Sequence, residues 1–61
     1  MLTTYINGKE IHIYYAHVSS LEKIDDLHFT FYMDSGKTYD ITFSSYGIAK
    51  EVEETIFKFN Q

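Results

Sequence analysis

Three histidines and a glutamate, His12, His17, His28 and Glu10, are the residues whose types could hold a metal ion. Zinc needs imidazole and carboxylate donors about 2 Å from one point. If Tyr15 is paired with Phe29, or with Phe31, on neighbouring antiparallel strands, the apolar faces agree. In the first register His28 stands opposite Ala16, four residues from His12 and roughly 13 Å away at the strand rise. His17 points to the other face, so the three read as surface or rim histidines rather than ligands. No metal and no cofactor are expected.

Asp25-Asp26, with Asp34 and Asp40 further on, raise a second chemistry, that of a carboxylate pair for acid/base work or magnesium. Such pairs act when they converge in a dry cleft that separates their pKa values. Asp34 belongs to a turn and Asp25-Asp26 to a loop, and a chain of 61 residues offers little volume for a cleft. Nucleophilic arrangements are equally thin. There is no cysteine, and Ser19-Ser20, Ser35 and Ser44-Ser45 all fall where turns and helix caps use serine. Gly8, Gly36 and Gly47 are isolated, so no loop cradles phosphate. No catalytic residue is assigned and no enzyme is expected.

Among the elements that carry these side chains, Leu27 to Phe43 forms the clearest unit. Leu27, Phe29, Phe31 and Met33 alternate with polar or amphipathic residues, and Tyr39, Ile41 and Phe43 repeat the pattern after a turn. A two-residue loop would set Phe31 against Asp40. A three-residue loop, Asp34-Ser35-Gly36, pairs Met33 with Lys37, Phe31 with Tyr39, Phe29 with Ile41 and Leu27 with Phe43. The first hairpin has the same consistency. Asn7-Gly8 is a two-residue hairpin signal, and it sets Ile6 against Lys9, Thr4 against Ile11 and Leu2 against Ile13.

The segment Ser19–Asp26 reads as a loop whose Leu21 and Ile24 lean on the core rim. From Tyr46 to about Phe59 the period becomes helical, with Ile48, Ala49, Val52, Ile56 and Phe59 on one stripe and Phe57 on the opposite side. The expected architecture is therefore a single α+β domain over residues 1–61, in the order ββββα: a four-stranded antiparallel meander of two hairpins, with the C-terminal helix packed on one face.

Composition narrows the partner. Five lysines, no arginine and nine carboxylates leave a net charge of −4. Phosphate backbones are bound by clustered cations and bases are read most often by arginine, so direct nucleic-acid binding is not expected. No membrane-spanning run is present, and a cytoplasmic location is expected. The residue usage resembles an AT-rich bacterial or phage coding sequence. A small core without disulfides favours oligomerisation as support.

One helix covers one face of a sheet. The reverse face is expected to display Tyr5, His12, Tyr14, His28 and Tyr32, with Phe57 as a second exposed aromatic, and these form the candidate partner-binding set. The bland alternatives are the β propensity of tyrosine and, for Phe57, fraying at Asn60-Gln61. The pattern points to a non-enzymatic protein-interaction module, such as a phage or mobile-element inhibitor or regulatory protein acting as a homodimer, with another protein as partner. The competing reading is an acidic mimic of a nucleic-acid backbone, offering Glu22, Asp25, Asp26, Asp40, Glu51, Glu53 and Glu54 to a basic enzyme that handles DNA or RNA. A weaker third reading, stacking of single strands on the tyrosine face, is opposed by the charge.

Overall fold

The structure is a computed structural model that describes residues 1–59. Asn60 and Gln61, where fraying was the alternative for Phe57, lie outside the described residues. The elements are β1 (Leu2–Ile6), β2 (Lys9–Ile13), a 3-10 turn (Tyr15–His17), β3 (Val18–Lys23), β4 (His28–Met33), β5 (Thr38–Thr42) and α1 (Tyr46–Phe59). They form an α+β fold with two antiparallel sheets, one of β1 and β2 and one in the order β3-β4-β5.

Both expected hairpins are present in the expected register. Ile6 pairs with Lys9, Thr4 with Ile11 and Leu2 with Ile13. Asn7 at φ 54° and Gly8 at φ 77° are both left-handed, as a two-residue turn matched to strand twist requires. In the second hairpin Phe31 pairs with Tyr39 and Phe29 with Ile41. Gly36 N–H donates to Met33 O at 3.0 Å and Met33 N–H to Lys37 O at 2.9 Å. Gly36 has φ 92°, a backbone region that side chains disfavour.

Of the segment expected as a loop, Ser19 to Lys23 is instead part of strand β3, and Ile24 to Asp26 connect it to β4. β3 pairs antiparallel with β4, setting Leu21 against Phe31 and Lys23 against Phe29. The physical reason is that a central strand buried on one face needs partners for its backbone groups along both edges. β5 satisfies one edge of β4 and β3 the other. With both edges of β4 taken, none is left for β2. The four-stranded meander is therefore not formed, and Tyr15, which lies in the 3-10 turn, faces neither Phe29 nor Phe31 across a ladder. Ser19 and Ser20 do not cap a helical turn. Ser20 pairs with Tyr32, and Ser19 is the extra residue of a bulge whose Oγ donates to Tyr32 O at 2.9 Å.

Both sheets and the helix contribute to one core. Its buried side chains are Ile13, Val18, Phe29, Phe31, Ile41, Phe43, Ala49, Val52 and Ile56, with Leu2, Ile6, Ile11, Leu21 and Met33 among those packed around it. The Phe43 ring meets Phe29 edge-on at 5.7 Å, an arrangement that the ring quadrupoles favour. Ser45 caps α1, its Oγ accepting from Ile48 N–H at 3.3 Å. The helical stripe is shorter than expected, because Ile48 and Phe59 remain 48% and 59% exposed. Burial is confined to Ala49–Ile56, about 10 Å of helix axis, so the ends of the stripe extend past the buried stretch. Phe59 still lies 6.0 Å, ring to ring, from Tyr15. Among the described residues no helix is long and apolar enough to cross a membrane.

Candidate functional site: the cleft between β3 and α1

Three surfaces carry the residues singled out from the sequence. On the outer face of β1-β2, the cross-strand pairs Tyr5–Glu10 and Thr3–His12 bring four polar side chains together. The Tyr5 hydroxyl donates to Glu10 Oε1 at 3.0 Å, His12 Nε2 meets Glu10 Oε2 at 3.0 Å, and His12 Nδ1 meets the Thr3 hydroxyl at 3.1 Å. His12 Nε2–H and the Tyr5 hydroxyl both donate to Glu10, and the Thr3 hydroxyl, able to donate or to accept, satisfies His12 Nδ1 in either protonation state. The Tyr5 hydrogen bond, followed by the hydrogen bond and charge of His12, holds the Glu10 carboxyl below its usual range. This surface is hydrogen-bonded within itself.

The outer face of the three-stranded sheet is organised in the same way. The Tyr32 hydroxyl donates to Glu22 Oε1 at 2.9 Å, and that carboxylate, by hydrogen bond and by charge, raises the Tyr32 pKa. Thr30 donates to Asp40 Oδ1 at 2.8 Å. His28, half-buried, shares this face with Thr30 and Tyr32. The continuous aromatic face expected from the sequence is thus not formed. Tyr5 and His12 belong to one sheet and His28 and Tyr32 to another, because β2 and β4 do not pair. Tyr14, 58% exposed, lies between β2 and the 3-10 turn.

The acidic residues are distributed rather than aligned. Glu22 is on β3, Asp40 on β5, Asp25 and Asp26 between β3 and β4, and Glu51, Glu53 and Glu54 on α1. Several have partners of their own. Asp25 Oδ1 accepts from Leu27 N–H at 3.0 Å, Lys23 Nζ lies 3.8 Å from Asp26 and 3.9 Å from Glu53, and Lys50 lies 3.8 Å from Glu54. Glu51 adds to the burial that raises the Tyr15 pKa. Among the described residues, no three histidine or carboxylate side chains converge as a metal site. His17 is clipped instead to the β4–β5 turn, its Nδ1 2.9 Å from Asp34 Oδ2, while its carbonyl accepts from Asp34 N–H at 2.9 Å.

The third surface differs. Ser19, Ser20 and Leu21 of β3 and Glu53, Ile56 and Phe57 of α1 line a cleft of about 290 Å³. β3 is an edge strand, and among the described residues no strand pairs with its outer side. Ile24 N–H donates to His28 O at 2.9 Å, which fixes the alternation along the ladder. Ser20 and Glu22 therefore turn their N–H and C=O groups toward β4, and Leu21 and Lys23 turn theirs outward. Phe57 stands beside this edge, 65% exposed, with Ile24 56% exposed at the end of the strand. An open ladder beside an apolar cleft is the arrangement that receives an extended chain by strand addition.

From the sequence alone helical period placed Phe57 outward and Leu21 was set against the core rim, but the β3 edge was missed. The signal was faint. In VSSLEK only Val18 is buried and only Leu21 half-buried, so alternation is nearly invisible. No protein-family model matches the chain, no curated protein matches it, and no solved structure matches it.

Proposed function

We propose that this chain is a small, non-enzymatic protein-interaction module that receives an extended segment of a protein partner along the edge of β3, over the cleft lined by Leu21, Ile56 and Phe57. The observation that carries this reading is the conjunction of an open strand edge with a large exposed aromatic side chain at one cleft. Backbone hydrogen bonds to Leu21 and Lys23 would supply affinity, and the cleft would select the side chain inserted into it. The hydroxyls of Tyr5 and Tyr32 already donate to Glu10 and Glu22, which leaves those surfaces less to offer a partner. The acidic-mimic reading has less support, because its carboxylates lie on several elements and several contact groups of the same chain.

The test compares single variants in the recovery of bound protein from the native host. Phe57→Asp loses the partner and Tyr5→Ala keeps it. Retention by Phe57→Asp with loss by Tyr5→Ala would return the contact to the hairpin face.

A further inference from the structure

Resting on that reading of the cleft, we propose that the extended segment it receives is β3 of a second copy of this chain, paired antiparallel about a two-fold axis at Leu21. Two three-stranded sheets then become one six-stranded sheet. The position of the axis follows from the charges along the strand. A two-fold axis through an antiparallel pair sets its central residue against itself and the residues on either side against each other in reverse order.

Centred on Leu21, the arrangement opposes Ser20 to Glu22 of the second copy, Glu22 to Ser20, and Lys23 to Ser19. Glu22 meets a hydroxyl and Lys23 falls beside the Ser19 bulge, so no like charges are opposed. Moving the axis to Glu22 opposes two carboxylates, and moving it to Lys23 opposes two ammonium groups, both destabilising cross-strand pairs. Leu21 is also a residue whose N–H and C=O point away from β4, so the central pair exchanges two backbone hydrogen bonds. The other edge of the sheet is less suited. The pairing of Met33 with Lys37 turns the backbone of Asp40 outward from β5, and the same symmetry about that central residue sets Asp40 against Asp40.

On the core side of the joined sheet, the Leu21 pair lies under the two clefts. Ile56 and Phe57 from each copy close over the seam, which gives the exposed Phe57 ring a place out of water. A chain this short, without disulfides, gains core by doubling it.

The chain contains no cysteine, so a single introduced thiol reports one position. Ser20 and Glu22 of opposite copies form a non-hydrogen-bonded pair, with Cα atoms about 4.5 Å apart and within disulfide range. Ser20→Cys and Glu22→Cys chains, one carrying a mass tag, are oxidised separately and mixed, with thermal melting by circular dichroism to confirm folding. The mixed disulfide is expected to form faster than either like pair, roughly tenfold or more, because the like positions are offset by two residues along the strands and stand beyond the ~7 Å reach of a disulfide. A like pair that forms faster, Ser20 with Ser20 or Glu22 with Glu22, overturns the axis at Leu21.

Sedimentation equilibrium is expected to show wild-type self-association at micromolar concentration and a monomeric Phe57→Asp chain. A monomeric wild type overturns the second copy as occupant; if Phe57→Asp still abolishes capture of another protein, the docking reading of the cleft survives that failure. A dimer that Phe57→Asp leaves intact overturns the assignment.

Discussion

The outer face of the β1-β2 hairpin and the cleft between β3 and α1 both present aromatic side chains to solvent, but their polar groups are in opposite states. On the hairpin, Tyr5, Glu10, His12 and Thr3 satisfy one another across the strands. Beside the cleft, the outward backbone groups of β3 face no strand among the described residues, and the ring beside them, Phe57, has no polar atom to occupy. A surface whose donors and acceptors are already paired gains little from a partner, whereas an open edge gains a hydrogen bond for each residue added. Aromatic content alone therefore does not locate a contact surface. What distinguishes the two regions is the bonding around the rings.

The largest effect comes from the core beneath both surfaces. Phe29 is 1% exposed, and Phe29→Ala should destabilise the chain by about 3–5 kcal/mol, shown by chemical denaturation. Both regions should be lost together; a hairpin that melts independently of the cleft would separate them into two cooperative units.

Phe57→Asp should weaken binding at the cleft by about 2 kcal/mol or more, the range of an interface anchor. Tyr5→Ala should change binding by less than about 0.5 kcal/mol, as substitutions away from a contact do. Equal losses in isothermal titration would erase the contrast.

Next in size is Ser45→Ala, which removes the cap of the helix that forms one wall of the cleft. It should cost about 1 kcal/mol and raise amide exchange in the first turn of α1, leaving the hairpin network unchanged.

The smallest effect is a titration. Since Tyr5 is the leading cause of the lowered Glu10 pKa, Tyr5→Phe should raise it toward 4.5, read from carboxyl carbon shifts. Because the folded value is depressed, the contribution of this network is complete above 4.5 and is lost as pH falls through the lowered value. An unchanged Glu10 pKa in Tyr5→Phe would show that the hairpin network does not hold in solution.

Legibility in the sequence followed the strength of local chemistry. Asn7-Gly8 and Gly36 name their turns, and the alternation around them leaves one register, so both hairpins could be read with their pairings. The helix could be read from its period and from Ser44-Ser45, although the extent of burial along its stripe depended on the size of the sheets above it. β3 could not be read, because an edge strand exposed along most of its length carries hydroxyls and charges where a core strand would alternate. Ser19-Ser20 read as turn or cap serines, and Leu21 and Ile24 as the rim contacts of a loop. That one omission carried the tyrosine face with it. The outward residues of the two hairpins were correctly sided, but joining them into one surface required β2 to pair with β4, an edge that β3 occupies.

The most direct test of the contrast follows every backbone amide at once. In nitrogen–proton correlation spectra recorded while the chain is diluted, or while a captured partner is added, the account predicts shifts concentrated on Ser19 to Lys23 and on Glu53 to Phe57, with Thr3 to Tyr5 and Glu10 to His12 still. Shifts centred on the hairpin, with β3 and the second half of α1 unmoved, would contradict it.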